Sequence, residues 1–134
     1  MEDKMSDFIK WVLAGGLSLG AFLFGDCKGI FLVLIAFICL DYATGVMSAI
    51  ANKKLSSEIG AKGIVKKIFM LAIVAVGNLI DIYVIGNGAI IRNVVIIFYI
   101  SNECISIVEN AGKMGVPVPK KLLDVLAQIK KEND

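Results

Sequence analysis

The sequence predicts an all-α integral membrane protein: a bundle of three to four transmembrane helices followed by a short C-terminal amphipathic cytoplasmic helix. Three observations carry this. The 134-residue chain is 57% apolar and 19% charged, against about 45–50% and about 25% in soluble domains. Its mean hydropathy is +0.80, and its apolar runs approach or reach the ~20 residues that cross a ~30 Å hydrocarbon core. The lysines gather in alternate connections between those runs. A soluble enzyme of this size and composition would have too little polar surface to face water.

The first candidate span covers about residues 8–25. Phe8 to Phe24 is 17 residues including Lys10, roughly 25 Å as a helix and slightly short of the core. Lys10 can snorkel to the interface, with Trp11 as its anchor. A cleaved signal peptide competes, because Lys4 and Lys10 precede the run. Against it, the run leads almost directly into another hydrophobic segment, and no small-x-small cleavage site stands out. The second span covers 29–50, with Asp41 as its one ionisable group. The third covers 64–85; it sheds its charge after Lys67 and ends at the breaker Gly86-Asn87-Gly88. The fourth covers 89–108 and carries Arg92 and Glu103.

Residues 109–134 form a tail. Val116-Pro117-Val118-Pro119 interrupts any helix, and a short one follows from about Lys120. Leu122, Leu126 and Ile129 share one face with Leu123, opposite Lys121, Asp124, Gln128 and Lys131. Such a helix can lie on the membrane, pack under the bundle or pair with another copy.

Charge sets the orientation. The connection from Ala51 to Lys67 holds Lys53, Lys54, Lys62, Lys66 and Lys67 against Glu58, and the tail holds Lys113, Lys120, Lys121, Lys130 and Lys131. The other two connections hold one lysine between them, Lys28. The positive-inside rule places the lysine-rich segments, and hence the C-terminus, in the cytoplasm. Four spans put both termini inside; three put the N-terminus outside.

Composition also excludes chemistry. The chain has no histidine, which removes imidazole catalysis and His-containing zinc sites. A net charge of +2 gives no surplus of base for nucleic acid. Cys27, Cys39 and Cys104 are odd in number and without a CxxC pair, so they are expected as apolar core residues in a reducing setting. No catalytic residue, metal or cofactor is expected.

The candidate functional residues are the polar groups in or beside the spans: Asp41, Asn78, Asp81, Arg92, Asn102 and Glu103. A central Asp costs ~2.5–3.5 kcal/mol on insertion scales, and each Leu, Ile, Val or Phe returns ~0.3–0.6, so the second span still inserts. Asp41 lies about 12 residues into its helix and is no boundary group. It and Glu103 are read as lining a wetted path or pairing between helices. Asp81 and Arg92 fall near one outer interface, where hydration alone could account for them.

Small residues recur at four-residue spacing: Gly16 and Gly20 in the first span, Gly45 and Ala49 in the second. Such pairs let helix backbones approach where lipid supplies no hydrophobic force. Asp41, Gly45 and Ala49 stack on one face, at once polar and smooth. The connection around Gly60 and Gly63 lacks the GxxxxGK[ST] pattern of a phosphate loop. Ser56 or Ser57 suits an N-cap. Lys53, Lys54, Lys66 and Lys67 are expected at the membrane surface, in reach of anionic lipid.

Two motif runs carry a family resemblance. Leu40-Asp41-Tyr42-x-x-Gly45, then Asn52-Lys53-Lys54-Leu55-Ser56-Ser57 with Gly60, Gly63 and Lys66-Lys67, resembles the first half of the toxin-secretion/phage-lysis holin family, the phage holin family 4 type. Asn102-Glu103-x-x-Ser106-Ile107-x-Glu109-Asn110, then Gly115-x-Pro117-x-Pro119-Lys120-Lys121-Leu122, resembles its second half. The likeness covers roughly residues 40–125. It implies about three spans, homo-oligomerisation in the bacterial cytoplasmic membrane and timed lesions. Through these an endolysin, or in toxin loci a toxin, would pass without required direct contact. An antiholin or other regulator, and a small ion- or proton-coupled transporter, are the alternatives. A lipid kinase would need clustered carboxylates for Mg²⁺ at the cytoplasmic face, where Glu58 and Glu109 stand apart.

Overall fold

Hydrocarbon offers no partner to a backbone N–H or C=O, so a chain of this composition satisfies its backbone within helices. The computed structural model describes residues 1–133, and no strand occurs among them. Helix α1 spans Glu2–Phe24, α2 Ile30–Ala51, α3 Ser57–Leu79, α4 Ile90–Lys113 and α5 Lys120–Asn133. A π-helical turn, Ile80–Ile85, extends α3 without a break. Four helices, α3 with its π turn among them, are long and apolar enough to cross a membrane. The structure therefore has four such helices where the motif resemblance implies three.

The helices run past the apolar stretches that locate them. Helix α1 starts at Glu2, placing two acidic residues in its first turn, where they oppose the helix dipole favourably. Helix α3 starts at Ser57 because Ser56, in extended conformation, accepts a hydrogen bond from the Ile59 amide at 3.1 Å. Helix α4 runs five residues beyond Val108, to Lys113.

Helices α2, α3 and α4 form the bundle, with α4 packed against both others while α2 and α3 scarcely touch. Their inward faces alternate steps of three and four residues, the seam spacing of packed helices. On α2 the seam is Phe31, Leu34, Ile38, Asp41, Gly45 and Ser48; on α3 it is Gly63, Lys67, Met70, Val74, Gly77 and Asp81. On α4 it is Arg92, Ile96, Tyr99, Glu103, Ser106 and Asn110. Phe31, Leu34, Val74 and Ile96 make a dry core in the half of the bundle near the α1–α2 and α3–α4 turns. Phe24 of α1 packs on its edge.

Helix α1 buries no residue and meets the bundle through α3 at its C-terminal end. Gly16 and Gly20, expected as packing positions, face open space within the chain. Cys27 and Cys39 are exposed, and Cys104 is half-buried; the first two correct the expectation of core cysteines. Cys27 lies in a turn, and Cys39 occupies the outward side of α2, where lipid can cover a small apolar side chain as well as a core does. Helix α5 folds back on α4 through the buried Leu126.

Candidate functional site

The polar residues of the spans fall into two groups at different depths. The first binds the outer turns together. Asp81 is 1% exposed, and its carboxylate accepts from the Ile91 and Arg92 amides at 3.1 and 2.8 Å. It thus caps α4 from a distance, satisfying N–H groups that a helix start leaves without partners. Arg92, 5% exposed, donates through Nε to the Phe24 carbonyl at 2.5 Å and through its other nitrogens to the Asp26 carbonyl and Asn93. Asn78 donates to the carbonyls of Phe22 and Leu23 at 3.2 and 3.0 Å. Asn78 and Arg92 therefore close the C-terminal end of α1, where carbonyls have no helical partner.

This is a correction to the hydrated-interface reading of Asp81 and Arg92. Both are buried because the termini of α1 and α4 converge there with unpaired backbone groups. Gly25 makes the convergence possible: its φ is +72°, and a Cβ would sit 2.6 Å from Asn78 Oδ1.

The second group lies midway along the bundle. Lys67 Nζ is 2.6 Å from Asp41 Oδ2 and 2.5 Å from Glu103 Oε2, so one ammonium bridges α2, α3 and α4. Each of the three stands ten residues from the lysine-rich end of its helix: Asp41 from Ala51, Lys67 from Ser57, Glu103 from Lys113. At 1.5 Å per residue each lies ~15 Å along the axis from that end. All three side chains are at most 14% exposed. Asn110 donates to Asp41 Oδ1 at 3.1 Å, to its carbonyl at 3.3 Å and to Thr44 Oγ1 at 2.9 Å. Gly45 faces Asn110, whose Nδ2 would be in ordinary van der Waals contact, 3.6 Å, with a Cβ there. No buried side-chain polar atom lacks a partner among the described residues.

Lys67 is also a correction. It is expected at the membrane surface, yet it points into the bundle, because two carboxylates at its own depth compensate an ammonium that lipid would not. Lys53, Lys54 and Lys66 remain exposed. Asn102 is exposed as well, on the rim of the cavity below the triad.

That cavity, about 680 Å³, fills the gap between α2 and α3 over α4. The triad forms its deep end, Gly45, Ala49, Gly60 and Gly63 its smooth walls, and Lys54, Lys66 and Lys113 lie along it toward the lysine-rich loop. The lysine-poor half of the bundle is closed by the dry core. The cavity thus reaches from the lysine-rich end to the triad, and apolar packing fills the bundle beyond it. Among the described residues no group of three potential ligands could hold a metal ion. Sequence reasoning put Lys67 at the surface and gave Asn110 and Gly77 no inward role, although the three-and-four spacing from Gly63, Asp81 and Glu103 places all three inward.

Comparison with known proteins gives a consistent outcome. The profile described as the bacteriophage holin family matches residues 18–131. The chain is 38% identical over 114 residues to a probable holin of Bacillus phage phi105, covering 85% of this chain and 83% of that protein. It is 35% identical over 130 residues to an uncharacterized protein of Halalkalibacterium halodurans, covering 94% and 96% of the two chains. A 14.9 kDa protein of Clostridium perfringens is 38% identical over 128 residues, covering 95% and 96%. No solved structure is a significant match.

Proposed function

This chain belongs to the bacteriophage holin family, and we propose that it accumulates in the cytoplasmic membrane, assembles with copies of itself and opens timed lesions. An endolysin, or a toxin in a toxin locus, would pass through them to the wall. The lysine-rich loop and C-terminal tail face the cytoplasm. In this role the protein acts without catalysis.

The mid-depth triad is the observation that best supports the reading. A timed lesion needs a closed assembly and an open one separated by a few kcal/mol. Asp41, Lys67 and Glu103 tie three helices together while paired, and they supply a hydrophilic lining once the helices part. The cavity reaches the triad from the lysine-rich end, so only the apolar core separates it from the other end of the bundle. A plain structural bundle would gain little stability from three buried charges, because apolar packing of similar volume is often as stable.

Inducible expression beside a muralytic enzyme that has no export signal tests the role. Culture density should hold through a lag and then fall abruptly, and it should not fall in the same way without the enzyme. Continued growth in both cultures at full membrane accumulation would reject a holin acting alone and favour a regulator or transporter.

A further inference from the structure

The cavity has a second property that opening a lesion does not require. Its charged lining is four lysines, Lys54, Lys66, Lys67 and Lys113, against two carboxylates, Asp41 and Glu103. Lys67 is committed to both carboxylates at the deep end, so Lys54, Lys66 and Lys113 are left without an ion-pair partner among the described residues. Glu58 and Glu109, the nearby acids in sequence, do not line the cavity.

The backbone presents Lys54 to this space. Helix α2 ends in a Schellman turn: the Lys53 amide donates to the Ile50 carbonyl at 3.2 Å and the Lys54 amide to the Ala49 carbonyl at 2.8 Å. The position that usually holds glycine is Lys53, with φ +55°. The turn is tight enough to bring Lys54 back over the cavity instead of leaving it on an extended loop. The walls nearby are glycine and alanine on one side and apolar on the other. Leu55 and Ile59 lie on the rim, 56% and 67% exposed, and Met70 lies within. Helices α2 and α3 scarcely touch, so the cavity is open between them along this apolar rim.

We propose that the cavity binds the phosphate-bearing headgroup of an anionic phospholipid from the same leaflet, held by Lys54, Lys66 and Lys113, with part of an acyl chain along Leu55, Ile59 and Met70. Charge complementarity selects the headgroup, and the apolar rim selects a lipid over a soluble phosphate. The bound lipid fills the gap across which α2 and α3 scarcely touch. The proposal rests on the cavity and not on the lesion-forming role, so it is tested by binding alone.

The full chain, purified in non-ionic detergent, is titrated with phosphatidylglycerol, phosphatidylcholine and inorganic phosphate while its thermal unfolding is followed. Phosphatidylglycerol should stabilise the protein at concentrations at least tenfold below phosphatidylcholine. In Lys54→Gln/Lys66→Gln the preference should drop about fivefold per lysine, and in Lys120→Gln/Lys121→Gln it should persist. Equal responses to the two lipids overturn the proposal. An equal loss in both double variants overturns it too, since that is generic surface attraction. Inorganic phosphate that displaces phosphatidylglycerol at low millimolar concentration reassigns the site to a free anion and overturns the lipid assignment. If Lys54→Gln/Lys66→Gln does not fold, Lys54→Arg/Lys66→Arg must keep the lipid preference, and its loss there overturns the site.

Discussion

Lys67 donates to Asp41 and Glu103 at once, leaving a formal −1 on three groups that touch. Removing the shared cation is the most damaging single change available here. Lys67→Met leaves two carboxylates facing each other in a poorly solvated position, and breaking a buried pair in this way costs about 3–5 kcal/mol. Lysis at matched protein level should come earlier in Lys67→Met, while Lys67→Arg stays near wild type. Asp41→Asn leaves the Lys67–Glu103 pair intact, so it should insert normally and shift lysis time less than Lys67→Met. An unchanged time in all three variants would remove the triad from the mechanism. Asp41 and Glu103 are legible from sequence, because a carboxylate inside an apolar run has no other explanation than partnership or water. Lys67 is not legible by hydropathy: its neighbour Lys66 is exposed, and only helical phase separates the two.

At the level of elements, helix phase decides what each surface meets. Gly77 lies where α3 crosses α4, and a Cβ there would be 3.2 Å from Arg92 Cα and 3.3 Å from Arg92 N. Those atoms are backbone and cannot swing aside. Gly77→Ala should therefore destabilise the bundle by about 1–3 kcal/mol, read as a lower unfolding midpoint in detergent. Gly16 and Gly20 predict the reverse. No atom lies within 4 Å of where a Cβ would stand at either, and Gly16 is exposed, so Gly16→Leu should not lower the unfolding midpoint of the monomer. If α1 pairs with a neighbouring copy, the same variant should shift lysis time and reduce crosslinked dimers; unaltered crosslinking would remove α1 from assembly. A GxxxG pair shows from sequence that close approach is allowed, never whether the partner is inside the chain. The outer network is a similar case. Asp81, Arg92 and Asn78 are visible as polar residues, yet their targets are backbone groups of other helices, which no side-chain pattern encodes.

The whole molecule is layered along its axis: a capped outer end, a dry core, a charged triad, then a cavity that opens toward the lysine-rich loop. The count of four spans follows from hydropathy, and the order of the layers follows from combining it with the seam positions. The proposed orientation rests on the lysine distribution and has a native probe. Cys27 is exposed in the turn between α1 and α2, while Cys39 and Cys104 lie within spans. A membrane-impermeant maleimide should label Cys27 on intact cells, and labelling only after permeabilisation would invert the topology. The central claim, that a closed bundle converts abruptly by parting the triad, is tested most directly by recording membrane potential after induction in wild type and Lys67→Met. Wild type should hold a level potential through the lag and then collapse once, abruptly, and Lys67→Met should collapse earlier at equal protein level. A potential that never falls, one that leaks away steadily from the moment of synthesis, or a collapse at the same time in both would contradict that claim.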